Sequence, residues 1–595
     1  MQRHKNKVES TIRLVIIIFI STILLRFGWT FYRYHYNTFL LDVTHDIYKP
    51  ELFSELLSDP KGKIVFSVLK AAIFFCVVAW LVFLVRTVFY RKPLIAPFFE
   101  KWISALAQLV KNNLDYYRLL PRVIKISITS IIILETVILI GFIYLLPYDY
   151  DEAYSYLYFS GNGVLSSLVY YPLPNNHVLY NILSSVSLHL PIPVVPATRI
   201  ISSVSAIITS WYFFKLLGKV LSNRAAVIVT SLLVFSYPFL LYATQARGYM
   251  LMLLCALLSL YGYTYIVGGN KGRKYYALFV ISNIAGLFTI PSFLYYFLIV
   301  DIFFFFEALR SRQRKSIWSA LKANLVIAVV TFTLYLPVIW RNGFQALTNN
   351  NGVVARSTDF IAANMGYHLR ETWSFLNGYT GTAFYFSVVL ILILVVTFYT
   401  SVSKYKFLWL TAAGILLSPA MIIWVHRTIP FSRTWLYLLL PIYMAIASLL
   451  SFPIDKISKV KTNGFIYLML AATILAGIQF WRFEKLQRQI YAVNYDCEYY
   501  NKLLDSKYGS INTIGYEVDG LAFYMKDILL CDAKMANNRN NILSQPLQSA
   551  GSTVCDVLIL NKKSNIDLNL QGYHLLQGND SFFNVYVRKD IYERK

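Results

Sequence analysis

Long apolar runs constrain this chain more than any other feature of its sequence. Segments such as 248–267 and 406–425 carry almost no charge, and each is roughly 18–25 residues long, the length at which a helix crosses a bilayer. The chain has 595 residues, of which 57% are hydrophobic and only 14% charged. A soluble domain is closer to ~25% charged. The sequence therefore predicts an α-helical polytopic membrane protein.

The apolar runs predict about 13 transmembrane helices with a cytoplasmic N-terminus. They cover residues 12–28, 64–85, 123–146, 198–217, 225–243, 248–267, 275–290, 292–309, 320–340, 384–401, 406–425, 434–452 and 464–481. With this topology Lys and Arg collect in the cytoplasmic loops, as the positive-inside tendency requires. The net charge of +25 is thereby explained without nucleic acid, which we do not expect as a partner.

Three regions follow from this topology. Residues 1–122 form an N-terminal extension with two transmembrane helices and a basic cytoplasmic loop, and 123–481 form the main transmembrane domain. The first apolar run lacks a small-residue cleavage site and is expected to be an anchor. Residues 482–595 are polar, with strand-like runs at 511–518, 554–560 and 582–587. They predict a small α/β domain on the extracytoplasmic side.

An acidic stretch follows the third apolar run, where the chain reaches the outer membrane surface. Asp149, Asp151 and Glu152 stand here among tyrosines. Carboxylates at a membrane surface are costly to place, so Asp151 and Glu152 are candidates for catalysis. Asp149 is interpreted as a surface turn residue.

The same predicted face collects further polar groups in its loops. These are Asn176 and His177, then Arg247 and Tyr249, then His426, Arg427 and Arg433. The three arginines break the positive-inside trend in short loops, where that trend is most reliable. An anionic partner at the membrane surface would compensate for them, and arginine suits phosphate.

Acids and arginines on one face suit transfer of a sugar to a hydroxyl. That reaction needs a general base beside the acceptor and positive charge where the leaving group becomes anionic. The sequence has no Rossmann fingerprint for a nucleotide sugar. A polyprenyl-phosphate sugar would place its phosphate at headgroup depth, where the arginines are predicted to lie.

The arrangement of these motifs resembles the GT-C superfamily of polytopic glycosyltransferases. The motifs are an Asp-Glu pair opening the first outer loop, a Pro-rich segment with His, an Ala-Arg turn and a late Ser-Arg span. Within 123–481 they are similar to the protein O-mannosyltransferase and lipid A aminoarabinose transferase group (glycosyltransferase family 39-like). The resemblance implies an inverting transfer from a polyprenyl-phosphate sugar to a protein, lipid or glycan acceptor in a bacterial inner or plasma membrane, outside the cytoplasm.

The site residues that we predict on this basis have three kinds of role. Asp151 is the general base and Glu152 its catalytic neighbour. The donor phosphate would be bound by Arg247, Arg433 and Arg427, and the substrate cavity would be lined by His177, Asn176, Tyr249 and His426. No cofactor is required and no metal site is predicted, although a divalent cation bridging Asp151 and the phosphate is compatible with the residues.

Two other classes of function remain open. A transporter or flippase for a lipid-linked sugar would use the same arginines, but it should also carry charges along a path at mid-membrane. Glu135 and Asp301 are two acids within apolar runs, and hydrogen bonding between helices is the favoured interpretation for both. A non-catalytic scaffold presenting the C-terminal domain would need neither the acids nor the arginines.

Overall fold

A computed structural model describes most of the membrane region of the chain. The described residues are 60–85, 111–172, 174–269, 272–348, 354–379, 406–460, 462–490, 513–516, 543–546, 556–561, 571–576 and 583–593, with shorter pieces between 18 and 38. They divide into two compact units, Met1–Thr129 with Gly272–Ala277, and Ser130–Lys271 with Leu278–Lys595. The candidate site lies wholly within the second unit.

Helices dominate the described residues. In chain order, the helices whose ends are both described are α1 Pro60–Val85, α2 Arg122–Leu145, α3 Tyr150–Tyr158, α4 Gly163–Val169, α5 Val178–Ser187, α6 Val194–Val220, α7 Asn223–Val234, α8 Tyr237–Thr244, α9 Tyr249–Val267, α10 Arg273–Thr289, α11 Phe293–Arg310, α12 Arg314–Asn342, α13 Gln345–Thr348, α14 Thr358–Leu376, α15 Lys406–His426, α16 Leu439–Val460, α17 Thr462–Ile490 and α18 Lys589–Tyr592. Two 3₁₀ helices cover Ser160–Asn162 and Ser432–Leu438.

Seven helices among the described residues are long and apolar enough to cross a membrane, or eight if α7 and α8 form one bent span. They are α1, α2, α6, α9, α12, α15 and a segment, Ser432–Ser451, that runs from the second 3₁₀ helix into α16. The chain is thus an integral membrane protein. The total of about 13 spans stays a prediction, because most of run 12–28 and all of run 384–401 lie outside the described residues.

The predicted span at 225–243 is broken in the structure. Helix α7 ends at Val234, and α8 starts at Tyr237 with its axis turned by 63°. Pro238 lies in the first turn of α8, where its missing N–H costs nothing, whereas inside a continuous helix it would remove a backbone hydrogen bond. The turn that follows α8, at residues 245–248, carries Arg247.

Helix α6 is the centre of the described helix packing. It contacts α5, α7, α8 and α9, and its serines bind neighbouring segments. Ser202 donates to the Gln245 carbonyl at 2.6 Å and Ser203 to the Ala243 carbonyl at 2.8 Å. Ser210 donates to the buried Glu135 carboxylate of α2 at 2.9 Å, which is the hydrogen bond between helices expected for that acid.

Two long segments between predicted spans, 148–196 and 341–382, also contain helices. The first of these segments forms α3, a 3₁₀ turn, α4 and α5, and the second contains α14. His368 of α14 accepts a hydrogen bond from the Trp435 indole N–H at 3.1 Å. Helix α14 thereby supports the 3₁₀ helix that carries Arg433.

The C-terminal region contains a five-stranded sheet. Its strands are β1 Thr513–Tyr516, β2 Leu543–Pro546, β3 Val557–Asn561, β4 Tyr573–Leu575 and β5 Phe583–Arg588, in the order β2-β1-β3-β5-β4. Strand β1 is parallel to β2 and β3, while β5 is antiparallel to β3 and β4. Three of these strands, β1, β3 and β5, fall at the runs predicted as strands. The domain limits at 122 and 481 and the side of the membrane stay predictions.

Candidate active site

The acidic stretch starts helix α3, and its carboxylates have different local roles. Asp149 occupies the N-cap position, and its side chain accepts from the Tyr150 N–H at 2.8 Å. The Glu152 carboxylate reaches back to accept from the Asp149 N–H at 3.0 Å. This capping box satisfies amides that the start of a helix leaves unpaired. Asp151 takes no part in it.

Asp151 lies between two arginines that come from distant parts of the chain. Its Oδ2 is 3.1 Å from Arg433 Nη2 and 3.8 Å from Arg247 Nη2. The Asn175 side chain also hydrogen-bonds to the carboxylate. The side chains of Asp151 and Arg433 are 18% and 29% exposed, whereas that of Arg247 is 1% exposed. We call Asp151, Arg247 and Arg433 the ion cluster.

The ion cluster sets the protonation state of its carboxylate. Burial alone would raise the pKa of Asp151, because the carboxylate loses hydration. The positive charges of Arg247 and Arg433 and the hydrogen bond from Asn175 outweigh that effect and hold the pKa of Asp151 below its usual value. Asp151 is therefore ionised at neutral pH and able to accept a proton.

Arg247 joins the segment between α2 and α6 to the turn after α8. Its Nη1 donates to the Ser155 hydroxyl at 2.6 Å and to the carbonyls of Asp151 and Asn175 at 3.2 and 3.3 Å. Its Nη2 donates to the Asn175 side-chain oxygen. The buried Nε–H has no hydrogen-bond partner among the described residues. Arg247 therefore holds α3 and Asn175 in place and leaves one donor unpaired.

Arg433 is the more accessible of the two arginines. Its Nε donates to the Tyr249 hydroxyl at 2.9 Å, and its guanidinium carbon lies 4.3 Å from the centre of the Phe431 ring. The contact with the ring orients the guanidinium without consuming its N–H groups. Arg433 is thus held at the partly exposed side of the ion cluster with donors available for an anion.

Glu152 is bound by Arg199, a buried residue of α6. Arg199 Nε and Nη2 donate to Glu152 Oε1 and Oε2 at 2.8 and 2.7 Å, and both side chains are 1% exposed. Glu152 Oε1 also accepts from the Ala246 N–H. The remaining Arg199 donors bind the carbonyls of Ile143, Leu146 and Pro147 at 3.3, 2.8 and 2.8 Å.

His177 supports the turn that carries Arg247. Its Nδ1 accepts from the Gly248 N–H at 2.8 Å, so a neutral ring carries its proton on Nε2. The His177 and Tyr249 rings pack edge to face, with their centres 4.8 Å apart. Burial lowers the pKa of His177, and the charges of Arg247 and Arg433 lower it further, to well below its usual value. His177 is therefore a neutral hydrogen-bonding group at neutral pH.

The two asparagines before His177 have different surroundings. Asn176 is fully buried, and its Nδ2 donates to the carbonyls of Ser167 and Tyr170 at 2.8 Å each, while its Oδ1 accepts from Asn181 at 2.9 Å. These bonds tie the loop to α4 and α5. Its neighbour Asn175 instead contacts Asp151 and Arg247.

His426 and Arg427 are exposed at the end of α15. His426 Nδ1 lies 3.1 Å from the Tyr295 hydroxyl and 2.8 Å from the Thr428 hydroxyl. Arg427 has a φ of 54°, and its carbonyl accepts from the Arg356 N–H at 2.8 Å. Among the described ion pairs, those of Asp151 involve Arg247 and Arg433 and not Arg427. The predicted roles of His426 and Arg427 stay predictions.

The structure thus brings most of the predicted site together. Asp151, Glu152, Arg247, His177, Tyr249 and Arg433 form one connected set of contacts. The contacting residues that were not predicted include Arg199, Asn175 and Ser155. A signal for Arg199 was present, since a charged residue inside an apolar run is expensive and usually paired.

The described residues contain no group of three or more His, Cys, Asp or Glu side chains that could hold a metal ion. Cysteine and histidine are therefore not brought together into a metal centre in this part of the chain. A divalent cation held jointly by Asp151 and a phosphate would need fewer protein ligands, and it stays an open prediction.

Comparisons with known proteins give structural likenesses at low sequence identity. No protein-family model and no curated protein matches the chain. ArnT from Cupriavidus metallidurans bound to undecaprenyl phosphate is similar at a TM-score of 0.47 and 10% identity, over 77% of this chain and 97% of that chain. The Archaeoglobus fulgidus oligosaccharyltransferase in complex with Zn and sulfate is similar at a TM-score of 0.44 and 12% identity, over 77% of this chain and 73% of that chain. At these values neither likeness assigns the chain to a family.

Proposed function

We propose that this chain is an integral-membrane glycosyltransferase. It moves a sugar from a polyprenyl-phosphate donor to an acceptor hydroxyl, with inversion, at the extracytoplasmic face. The observation that carries the proposal is the ion cluster, in which one ionised carboxylate contacts two arginines. A base for the acceptor and cations for a departing phosphate are the two requirements of this reaction, and the cluster supplies both.

Asp151 is the general base. The acceptor oxygen forms a bond to the anomeric carbon of the sugar while the bond from that carbon to the phosphate oxygen breaks. The hydroxyl proton passes to the Asp151 carboxylate, and the phosphate leaves with the bonding electrons. The Asp151 carboxylate is ionised before the acceptor binds, so it carries no proton of its own and can take the one from the acceptor.

Arg433 is the main contact for the donor phosphate, and Arg247 contributes charge from behind it. The greater exposure of Arg433 and its position on Phe431 support this division. Arg247 donates hydrogen bonds to Ser155 and Asn175. It therefore acts on the phosphate mostly through the electrostatic attraction of its charge and through its one unpaired N–H. The polyprenyl chain would lie along the apolar helices in the bilayer.

Transfer can be tested with the purified full-length chain in lipid vesicles. The vesicles carry a panel of polyprenyl-phosphate hexoses and pentoses, and the assay measures release of polyprenyl phosphate in the presence of an envelope extract as the acceptor. Release that the wild type supports and Asp151→Asn does not would support the proposal. Movement of a labelled lipid-linked sugar between leaflets without phosphate release would instead identify a transporter, and neither activity with any donor would favour a scaffold.

The side of the membrane can be tested by cysteine labelling. His189 lies in the first outer loop and Gln313 between α11 and α12, and both are exposed. In cells, a membrane-impermeant thiol reagent should label His189→Cys directly and Gln313→Cys only after permeabilisation. The opposite pattern would place the ion cluster on the cytoplasmic side and contradict the proposed topology.

A further inference from the structure

We propose that Arg199, acting through Glu152, is a positioning residue that sets the distance between Asp151 and Arg247. The catalytic consequence rests on the proposed function, but the positioning itself does not. It stands on a buried ion pair whose hydrogen bonds reach the backbone beside Asp151 and the backbone beside Arg247, two of the three members of the ion cluster.

Arg199 has no donor left for a ligand. A guanidinium has five N–H groups, and two of those of Arg199 bind Glu152 while the others bind three backbone carbonyls. Those carbonyls belong to Ile143, Leu146 and Pro147, at and just beyond the C-terminal end of α2. Backbone carbonyls at a helix C-terminus lack partners within the helix, so Arg199 caps α2 and fixes where the first outer loop begins.

Glu152 is saturated in the same way. An ionised carboxylate offers about four acceptor positions. Those of Glu152 receive two N–H groups of Arg199, the Asp149 N–H and the Ala246 N–H. A carboxylate so occupied is not placed to take a proton or bind a substrate. Its role is to join segments, which differs from the catalytic role predicted for it from the sequence.

The segments that Glu152 joins are those that carry Asp151 and Arg247. Asp149 caps helix α3 two residues before Asp151, and Ala246 directly precedes Arg247. One carboxylate therefore fixes both backbones, and the separation of 3.8 Å between Asp151 Oδ2 and Arg247 Nη2 follows from that bridge. Only a forked guanidinium can hold both carboxylate oxygens and three carbonyls together, since lysine has three donors on one nitrogen.

The first experiment compares Arg199→Lys with the wild type, using the full-length chain in vesicles. The variant keeps the buried positive charge but loses the forked guanidinium group with its five N–H donors. We expect kcat to fall about 100-fold, because a shift of about 1 Å at reacting groups has that effect. The dissociation constant of polyprenyl phosphate should change little, because Arg433 lies on another element. The acid limb of the profile of kcat against pH should move to higher pH. A more distant Arg247 stabilises the ionised carboxylate less, so the pKa of Asp151 is higher in the variant than in the wild type.

The second measurement needs no substrate. Hydrogen exchange of the Ala246 amide should be faster in Arg199→Lys and in Glu152→Gln than in the wild type, because its acceptor is displaced or weakened. Ser210→Ala is the matched control on the same helix, since it removes a buried hydrogen bond to Glu135. It should alter neither Ala246 exchange nor the pH profile.

The outcomes separate the two proposals. Folded Arg199→Lys with wild-type kcat, pH profile and Ala246 exchange would overturn the positioning role. If Arg199→Lys does not fold, Glu152→Gln is decisive, and wild-type exchange and kcat in that variant would overturn it equally. Faster Ala246 exchange in a protein whose wild type transfers no sugar would keep the positioning role and reject the glycosyltransferase.

Discussion

Replacing Arg433 with glutamine should weaken the binding of polyprenyl phosphate. The change removes a guanidinium that lies 3.1 Å from Asp151 and donates to Tyr249 at 2.9 Å. Asp151 keeps Arg247 as a partner at 3.8 Å, so the cluster loses one positive charge without stranding the carboxylate. The substitution should therefore weaken the binding of an anion more than it destabilises the fold.

The expected size follows from the exposure of Arg433. At 29% exposure the full Coulomb energy in a dry interior does not apply. A hydrogen bond to a charged group contributes about 1.5–3 kcal/mol, which corresponds to a dissociation constant about 10- to 150-fold weaker. The Asp151 charge, then less compensated, repels phosphate and acts in the same direction.

The assay is equilibrium binding of polyprenyl phosphate to the full-length chain in vesicles, followed by calorimetry or intrinsic fluorescence. Arg356→Gln is the matched control. Arg356 is exposed, and it is joined to this face by its backbone N–H, which donates to the Arg427 carbonyl at 2.8 Å. The Arg356→Gln variant loses the same formal charge as Arg433→Gln. Among the described residues, however, Arg356 forms no ion pair with Asp151. Equal dissociation constants for the two variants would refute the phosphate role of Arg433.

The remaining predictions concern other positions of the same site. Asp151→Asn should lower transfer by about 10²- to 10⁴-fold, the range for loss of a general base, yet bind polyprenyl phosphate more tightly because a repelling charge is gone. Because the folded-state pKa of Asp151 is lowered, its ion pairs should stabilise the chain above the usual carboxylate pKa of about 4 and be lost as the pH falls through the folded value, so melting temperatures of the wild type should fall in acid more steeply than those of Asp151→Asn. Gly248→Ala would place a Cβ 2.9 Å from His177 Cβ and 2.9 Å from Thr289 Cγ2 and should destabilise the chain by about 1–3 kcal/mol, measured by thermal melting. Arg427→Gln tests the sequence-based prediction for Arg427: a loss of phosphate binding as large as that of Arg433→Gln would support it, and binding at the wild-type value would contradict it.

The positions of the long helices could be predicted because bilayer-length apolar runs leave the backbone few alternatives. Helix α9 occupies Tyr249–Val267 and α15 occupies Lys406–His426, within a residue of the predicted bounds. In hydrocarbon every N–H and C=O needs a partner, and a helix supplies them all internally. The break between α7 and α8 was not predicted, because a composition average over 225–243 does not register one proline in a buried run.

Contacts between distant segments could be predicted only as far as topology places residues on one face. That reasoning correctly associated Asp151 with Arg247 and Arg433. It named Asn176, whereas Asn175 is the amide that contacts Arg247 and Asp151, because which of two adjacent amides faces the arginine depends on the local path of the loop. It also missed Arg199. Its position in an apolar run indicates that the guanidinium needs a partner, but only the folded chain shows that the partner is Glu152.

The charge of the ion cluster matches the course of the proposed reaction. Two guanidinium groups and one carboxylate leave one net positive charge, and a polyprenyl-phosphate sugar is a phosphodiester with one negative charge. During transfer the carboxylate takes the acceptor proton, so the cluster gains a positive charge at the moment when the departing phosphate gains a negative one. Preorganised charges that match a changing charge distribution lower the barrier without reorganisation. On this account Asp151→Asn should favour a phosphate monoester dianion over a phosphodiester monoanion, because the neutral amide leaves the cluster in the charge state of the product. The measurement is the ratio of the dissociation constants of these two ligands. If Asp151→Asn has the same ratio as the wild type, the base and the leaving group are not coupled through these arginines.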